Sequence, residues 1–235
     1  MTENVFYAPD DDVMAAASKE ARETFKYFWR ELYWEARRIV PATDLAFVKA
    51  EFREGDIVEH MWVSDIFFDG KNIIGQLVND PNELKNVCSC DIVEFELDSE
   101  RFRDWLMMLQ GQICGAYSVH AIRKQMPDAE RAQHDAAWGL PFGDPDEPRL
   151  PIYTEDADDE HPMSENMAEM FENYFVENPE EVTLVDADGF TSLHQEALAG
   201  NGLMCEILIK LGADKAAKTN VGDTAYDLAT RMGWD

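Results

Sequence analysis

The chain has 235 residues, enough for one large domain or two small ones. Its 48 acidic residues against 20 basic ones leave a formal net charge of -28, which argues against binding nucleic acid through a basic footprint and favours basic partners. Apolar residues make up 46% of the chain, enough for a real core, but no run of about 18 of them occurs, so no membrane span is expected.

Residues 1–12 begin MTENVFYAPDDD and are expected as an acidic tail. They lack the basic and apolar regions of a signal peptide, which points to a cytoplasmic chain. Residues 13–40 predict a helix, with Asp11 or Asp12 as its cap and Pro41 as its stop. Ala21, Phe25, Phe28, Leu32, Ala36 and Ile39 recur at helical spacing. Tyr27, Trp29, Tyr33 and Trp34 widen that stripe to the width of a helix packed on a sheet.

From residue 46 the pattern changes to period two. AFVKAEF, IVEHMWVSDIFF and the stretch after the hairpin signal Asp69-Gly70 read as strands. CDIVEFEL reads as another, beyond the turn cluster Asn79-Asp80-Pro81-Asn82. Ser99 to Leu109 suggests a short helix, AYSVHAIRK a strand, and MPDAERAQHDAAW a short helix with Pro127 in its first turn. This order predicts an α+β domain over residues 13–140, an N-terminal helix packed on an antiparallel meander. Residues 141–162 are rich in proline and acid and predict a linker. From Asp144 to Glu181 there are 14 acidic residues and one basic residue, Arg149, the pattern of a solvated face or a docking surface.

The segment 163–235 contains a repeat. Gly189-Phe190-Thr191-Ser192-Leu193 returns as Gly222-Asp223-Thr224-Ala225-Tyr226, an offset of 33 residues. With TSLH at 191–194 and LGAD at 211–214, the segment resembles ankyrin repeats, about two recognisable copies behind a degenerate first module that contains Met167, Met170, Phe171 and Tyr174. The resemblance implies a small all-α stack in which Gly189, Thr191, Leu193, His194, Ala197, Gly200, Gly212, Asp214, Gly222 and Thr224 are structural. Thr191 would cap a helix and His194 would hydrogen-bond across turns. Ser192 and Glu196 stand where the family has proline and alanine. Stacks of this kind present a surface to another macromolecule.

Residues 13–145 resemble a second family, the YegJ-like bacterial domain of unknown function. The resemblance rests on an ordered set: ARETFKYF, FVKAEF, EHMWV, DGKNIIGQLVNDP, the Asp104-Trp105 pair, GAYSVHAIR and MPDAERAQHDAAWGLPFGDP. Cys90, in VCSCDIVEF, stands where that family commonly has a glycine.

EHMWV places a glutamate, a histidine and a tryptophan side by side. Strand alternation sends Glu59 and His60 to opposite faces, so they do not form an acid–base pair. A catalytic His60 would need a residue such as His120, Asp65 or Glu94 from elsewhere, and a packed histidine beside Trp62 is the expectation. His60 and Trp62 are instead candidates for a binding groove. Cys88 and Cys90 do not have the spacing of a zinc motif and read as small buried residues at a strand start. The cluster Asp156, Asp158, Asp159, Glu160 and His161 lacks calcium-loop spacing. No metal, cofactor or catalytic residue is therefore assigned. The expected function is non-enzymatic protein binding. The candidate contact residues are His60, Trp62, Asp156, Asp158, Asp159, Glu160, Glu172 and Asp188, and the expected partner is basic. A bacterial immunity protein that neutralises a basic toxin effector suits this composition. The alternatives are an enzyme with its site in the YegJ-like domain and a scaffold or regulatory adaptor. Neither nucleic acid nor membrane is expected as a partner.

Overall fold

The computed structural model describes residues 11–234, so most of the expected acidic tail at 1–12 lies outside the described residues. The described chain divides into two compact units. The first runs to Phe28 and resumes from Arg38 to Pro151. The second takes Trp29–Arg37 and the chain from Ile152 onward. The break between Pro151 and Ile152 falls in a stretch of irregular backbone.

Helix α1 spans Asp11–Glu35. Both expected capping residues lie within it, and it ends well before Pro41. Ile39 is therefore outside the apolar stripe and is 98% exposed. In the first unit, α1 buries Ala21, Phe25 and Phe28. Phe25 meets Phe68 and Phe102 edge-on at 5.2 and 5.7 Å, the geometry that the aromatic quadrupole favours. Burying one such ring stabilises the fold by about 1.5–3 kcal/mol.

The sheet against α1 has six antiparallel strands: β1 (Thr43–Glu54), β2 (Ile57–Phe68), β3 (Asn72–Leu77), β4 (Ile92–Glu96), β5 (Phe102–Leu109) and β6 (Gln112–Gly115). Their order is β4-β3-β2-β1-β5-β6. The meander thus covers only the first four strands. The chain then returns to lay β5 beside β1, on the side away from β2. Val48 and Ala50 pair with Val63 and Met61 on the face under α1, where Trp105 also lies and donates its indole N–H to the Ala21 carbonyl at 3.0 Å. Phe47, Lys49, Glu51, His60, Trp62, Asp104 and Leu106 occupy the other face.

Two elements differ from the sequence reading. Ser99 to Leu109 holds strand β5 and not a helix. It is flanked by β1 and β6 and covered on both faces, so Trp105, Leu106 and Met107 are all buried and period two is lost. AYSVHAIRK folds as helix α2 (Tyr117–Arg123) and not as a strand. The cause is distant in sequence: the Asp104 carboxylate accepts the backbone N–H groups of Tyr117 and Ser118 at 3.1 and 2.8 Å and the Ser118 hydroxyl at 2.6 Å. A carboxylate that satisfies first-turn donors stabilises a helix start. Helix α3 (Asp128–Trp138) follows, with Pro127 just before it.

In the second unit, α4 (Pro162–Glu177) and a 3-10 turn (Pro179–Val182) precede α5 (Ser192–Ala199), α6 (Gly202–Lys210) and α7 (Ala225–Met232). Helix α5 packs on both α6 and α7, and α4 packs on α6. Phe175, Leu193, Ala197, Leu208 and Ala225 form one apolar core, and Trp34, Met204 and Ile207 form another with Met163 and Met167. The unit repeats itself in backbone detail. Asp186 N–H donates to the Phe190 carbonyl, and 33 residues later Thr219 N–H donates to the Asp223 carbonyl, each bond 2.9 Å long. No helix among the described residues is long and apolar enough to cross a membrane.

Candidate functional site

Strand β2 places Glu59 and His60 on opposite faces. Glu59 accepts the backbone N–H groups of Asn82, Glu83 and Leu84, which holds its carboxyl below the usual range and pins that loop. His60 finds neither His120, Asp65 nor Glu94. Its partner is Glu51, directly opposite on β1, with Nε2 3.4 Å from the carboxylate. Glu51 also takes hydrogen bonds from Arg53 and Arg103; burial opposes its ionisation, and the two guanidinium groups outweigh burial and keep it ionised. Burial, reinforced by Lys49 and Arg103, lowers the His60 pKa. A carboxylate already engaged by two arginines is a poor base, so this arrangement is a charge cluster and not a catalytic dyad. Burial pushes the Asp104 carboxyl up to about 6, against the pull of Ser118 and Lys49.

Trp62 lies on the face away from α1. It meets Phe47 and the α3 residue Trp138, both at 6.4 Å, and Lys49 lies 5.5 Å from its ring. The groove expected of His60 and Trp62 is therefore filled at the tryptophan, while the His60 side chain remains 43% exposed. His120 belongs to another network, with Nδ1 3.0 Å from Arg123, which in turn pairs with Asp135 at 2.8 Å. Cys88 and Cys90 are exposed, not buried, and the Cys88 thiol donates to Asp91 at 3.3 Å. Cys90 adopts φ 72°, the left-handed conformation that suits the glycine common in its place. Among the described residues, no three His, Cys, Asp or Glu side chains are grouped as metal ligands.

The acidic candidates lie in the second unit. Asp156, Asp158, Asp159 and Glu160 line one cavity of about 580 Å³ together with Leu193, Ala197, Cys205, Ile209, Ala225, Tyr226, Ala229 and Trp234. The floor is apolar, and Lys215 is the one basic residue of the lining. Arg30, 2% exposed, ties the acidic loop down by donating to the carbonyls of Ala157 and Asp159 at 2.9 and 3.1 Å, and its guanidinium lies 4.8 Å from the Trp234 ring. Glu160 Oε2 accepts the Leu203 N–H at 3.0 Å at the start of α6, and its buried Oε1 has no hydrogen-bond partner. Glu172 and Asp188 are not part of this lining. Glu172 pairs with Lys210 at 2.6 Å, and the Asp188 carbonyl accepts the Asn220 N–H at 2.9 Å.

The repeat residues act locally. His194 Nδ1 accepts the Thr191 N–H at 3.1 Å, and its Nε2 donates to the Ala217 carbonyl at 3.1 Å, which bridges two turns. Thr224 Oγ1 accepts the Asp227 N–H, and Asp214 accepts that of Ala216. Leu193 and Ala197 are core residues, and Gly189, Gly200, Gly212 and Gly222 have positive φ. Glu196, where the ankyrin resemblance implies an alanine, is 1% exposed and accepts from Tyr33, Arg37 and Asn201 at 2.7, 3.0 and 2.8 Å. It gives the Trp29–Arg37 segment a polar anchor, a role with no local signal in sequence. Tyr226 and Trp234 were also missed as lining residues, because nothing in their neighbourhood marks them as facing a cavity.

This chain belongs to the family DUF2314, uncharacterized proteins conserved in bacteria, which matches residues 11–142. Over its whole length it is similar to the putative ankyrin repeat protein NMB1133/NMB1171 of Neisseria meningitidis serogroup B, 42% identical over 244 residues that cover 95% of that protein. It is also similar to the uncharacterized protein YegJ of Escherichia coli K12, 29% identical over 122 residues, 52% of this chain and 74% of that protein. No solved structure matches.

Proposed function

We propose that the protein is a non-enzymatic binding protein whose second unit is an ankyrin-repeat stack that engages a basic protein. One observation carries this reading: four acidic residues that are close in sequence stand together along an apolar cavity. An apolar floor supplies contact area, and a carboxylate rim selects cationic partners and speeds their approach. The 33-residue recurrence of turn hydrogen bonds, the TSLH and LGAD stretches and the ankyrin naming of the Neisseria relative support the repeat assignment. The net charge of -28 suits an immunity protein that occupies the basic active site of a toxin effector, and a role as scaffold or adaptor differs only in the partner.

Affinity capture from the native host tests the binding reading, with the full chain compared against a variant carrying Asp156→Asn, Asp158→Asn and Asp159→Asn. A basic protein held by the full chain and released by the variant is the expected result. Retention of the same proteins by both refutes the acidic rim as the determinant. Relief of that protein's toxicity on co-expression separates immunity protein from adaptor.

A further inference from the structure

The helices of the second unit stand in two rows. Helices α4 and α6 are neighbours in one row, α5 and α7 in the other, and α5 also packs against α6. Helix α6 turns Leu203, Met204 and Ile207 toward the α4 side, and Leu211, just past its end, packs there too. Its Cys205 and Ile209 instead line the cavity, together with Leu193 and Ala197 of α5 and Ala225, Tyr226 and Ala229 of α7. The cavity thus occupies the place in the first row beside α6 and over α7, where a further helix would complete the pattern. The surfaces left there are apolar but open: Ile209 is 40% and Tyr226 77% exposed. Asp156, Asp158, Asp159 and Glu160 line the same cavity; Glu160 accepts the Leu203 N–H at the start of α6, and its buried Oε1 has no hydrogen-bond partner.

We propose that this groove seats a basic amphipathic helix of a partner protein, which takes the position beside α6 and over α7. The proposal rests on the binding function above and adds the shape of the bound segment. An apolar stripe at i, i+3, i+4 and i+7 would lie on Cys205, Ile209 and Ala229, the recurrent way in which a helix fills a groove. Lysine or arginine side chains at one end would meet the four acidic residues. The nine residues of α6 set the length of the contact, about 13 Å at 1.5 Å per residue, so two to three turns of partner helix suffice.

The test uses the full chain and a fluorescein-labelled 14-residue peptide of leucine and lysine in that amphipathic order, with a scrambled peptide of the same composition as the control. Fluorescence anisotropy at about 0.15 M salt, where long-range charge is screened beyond about 8 Å, gives the affinities. The amphipathic peptide is expected to bind at least ten-fold more tightly than the scrambled one. Ile209→Glu and, independently, Tyr226→Ala should remove that advantage, both being exposed positions that leave the fold intact by circular dichroism. Phe67→Ser, a half-exposed position of the first unit, should leave it unchanged. Equal affinity for the two peptides overturns the helix proposal, and if that binding is lost in the Asp156, Asp158 and Asp159 variant, the basic-partner reading stands without it. Binding of neither peptide overturns the helix proposal as well. So does a concentration-dependent dimer of the chain alone that Ile209→Glu dissociates, since the occupant is then a second copy.

Discussion

Gly200 connects α5 to α6 at φ 72°, and a Cβ placed on it would lie 2.3 and 2.4 Å from two ring atoms of Trp234. Gly200→Ala therefore imposes two separable costs. The left-handed conformation costs alanine about 1 kcal/mol more than glycine. The clash forces Trp234 out of a site where it is 9% exposed, lies beside Arg30 and donates to the Leu198 carbonyl at 3.3 Å. Losing a buried aromatic of this size costs about 3–5 kcal/mol when it is removed outright. The expected total is about 4 kcal/mol, most of it passing through Trp234. A double-mutant cycle in urea, followed by far-ultraviolet circular dichroism, separates the parts. Gly200→Ala should cost about 4 kcal/mol in the native chain but only about 1 kcal/mol when Trp234 is already alanine. Equal costs in the two backgrounds would refute the claim that Gly200 is required for the seating of Trp234.

Glu196→Ala introduces the residue that the ankyrin resemblance implies at this position, yet it should lower stability by about 1–3 kcal/mol in the same assay, because it strips Tyr33, Arg37 and Asn201 of their common acceptor; no loss would show that the network contributes nothing. Cys90→Gly should raise stability by about 1 kcal/mol by relieving the left-handed backbone at φ 72°, and a lowered urea midpoint would count against that strain. His120 is 2% exposed, and burial, aided by Arg123, lowers its pKa to about 4. The unfolded chain binds this proton near pH 6.5 and the folded chain only near 4, so stability is lost as pH falls through that window, by up to about 3 kcal/mol. An NMR titration that placed the His120 midpoint near 6.5 would rule this out.

The strands with one covered face were legible in the sequence. In IVEHMWVSDIFF, alternation placed Glu59 and His60 apart, and the structure shows the same separation through their different partners. Helix α1 was legible from its stripe, although its end was placed too late, since Pro41 permits a stop anywhere before it. Strand β5 was misread because burial on both faces erases alternation. Helix α2 was misread because its cap, Asp104, comes from another element, and YSVHAI alternates as a strand would. The acids at 156–160 were visible as a charge run, but the apolar floor beside them is assembled from three helices and from Trp234, more than 70 residues further on. Periodicity reports which face of one element is apolar and says nothing of which elements meet.

The two-row arrangement also fixes where the second unit opens first. Helix α7 has α5 as its principal helical neighbour, whereas α6 is held by both α4 and α5. A helix held mainly by one neighbour exchanges its amide hydrogens through local fraying, at a free energy below that of global unfolding. Amides of α7 should therefore exchange faster than those of α5 and α6. Any ligand that bridges α6 and α7 slows exchange in α7 most, which makes amide protection in that helix a direct gauge of occupancy.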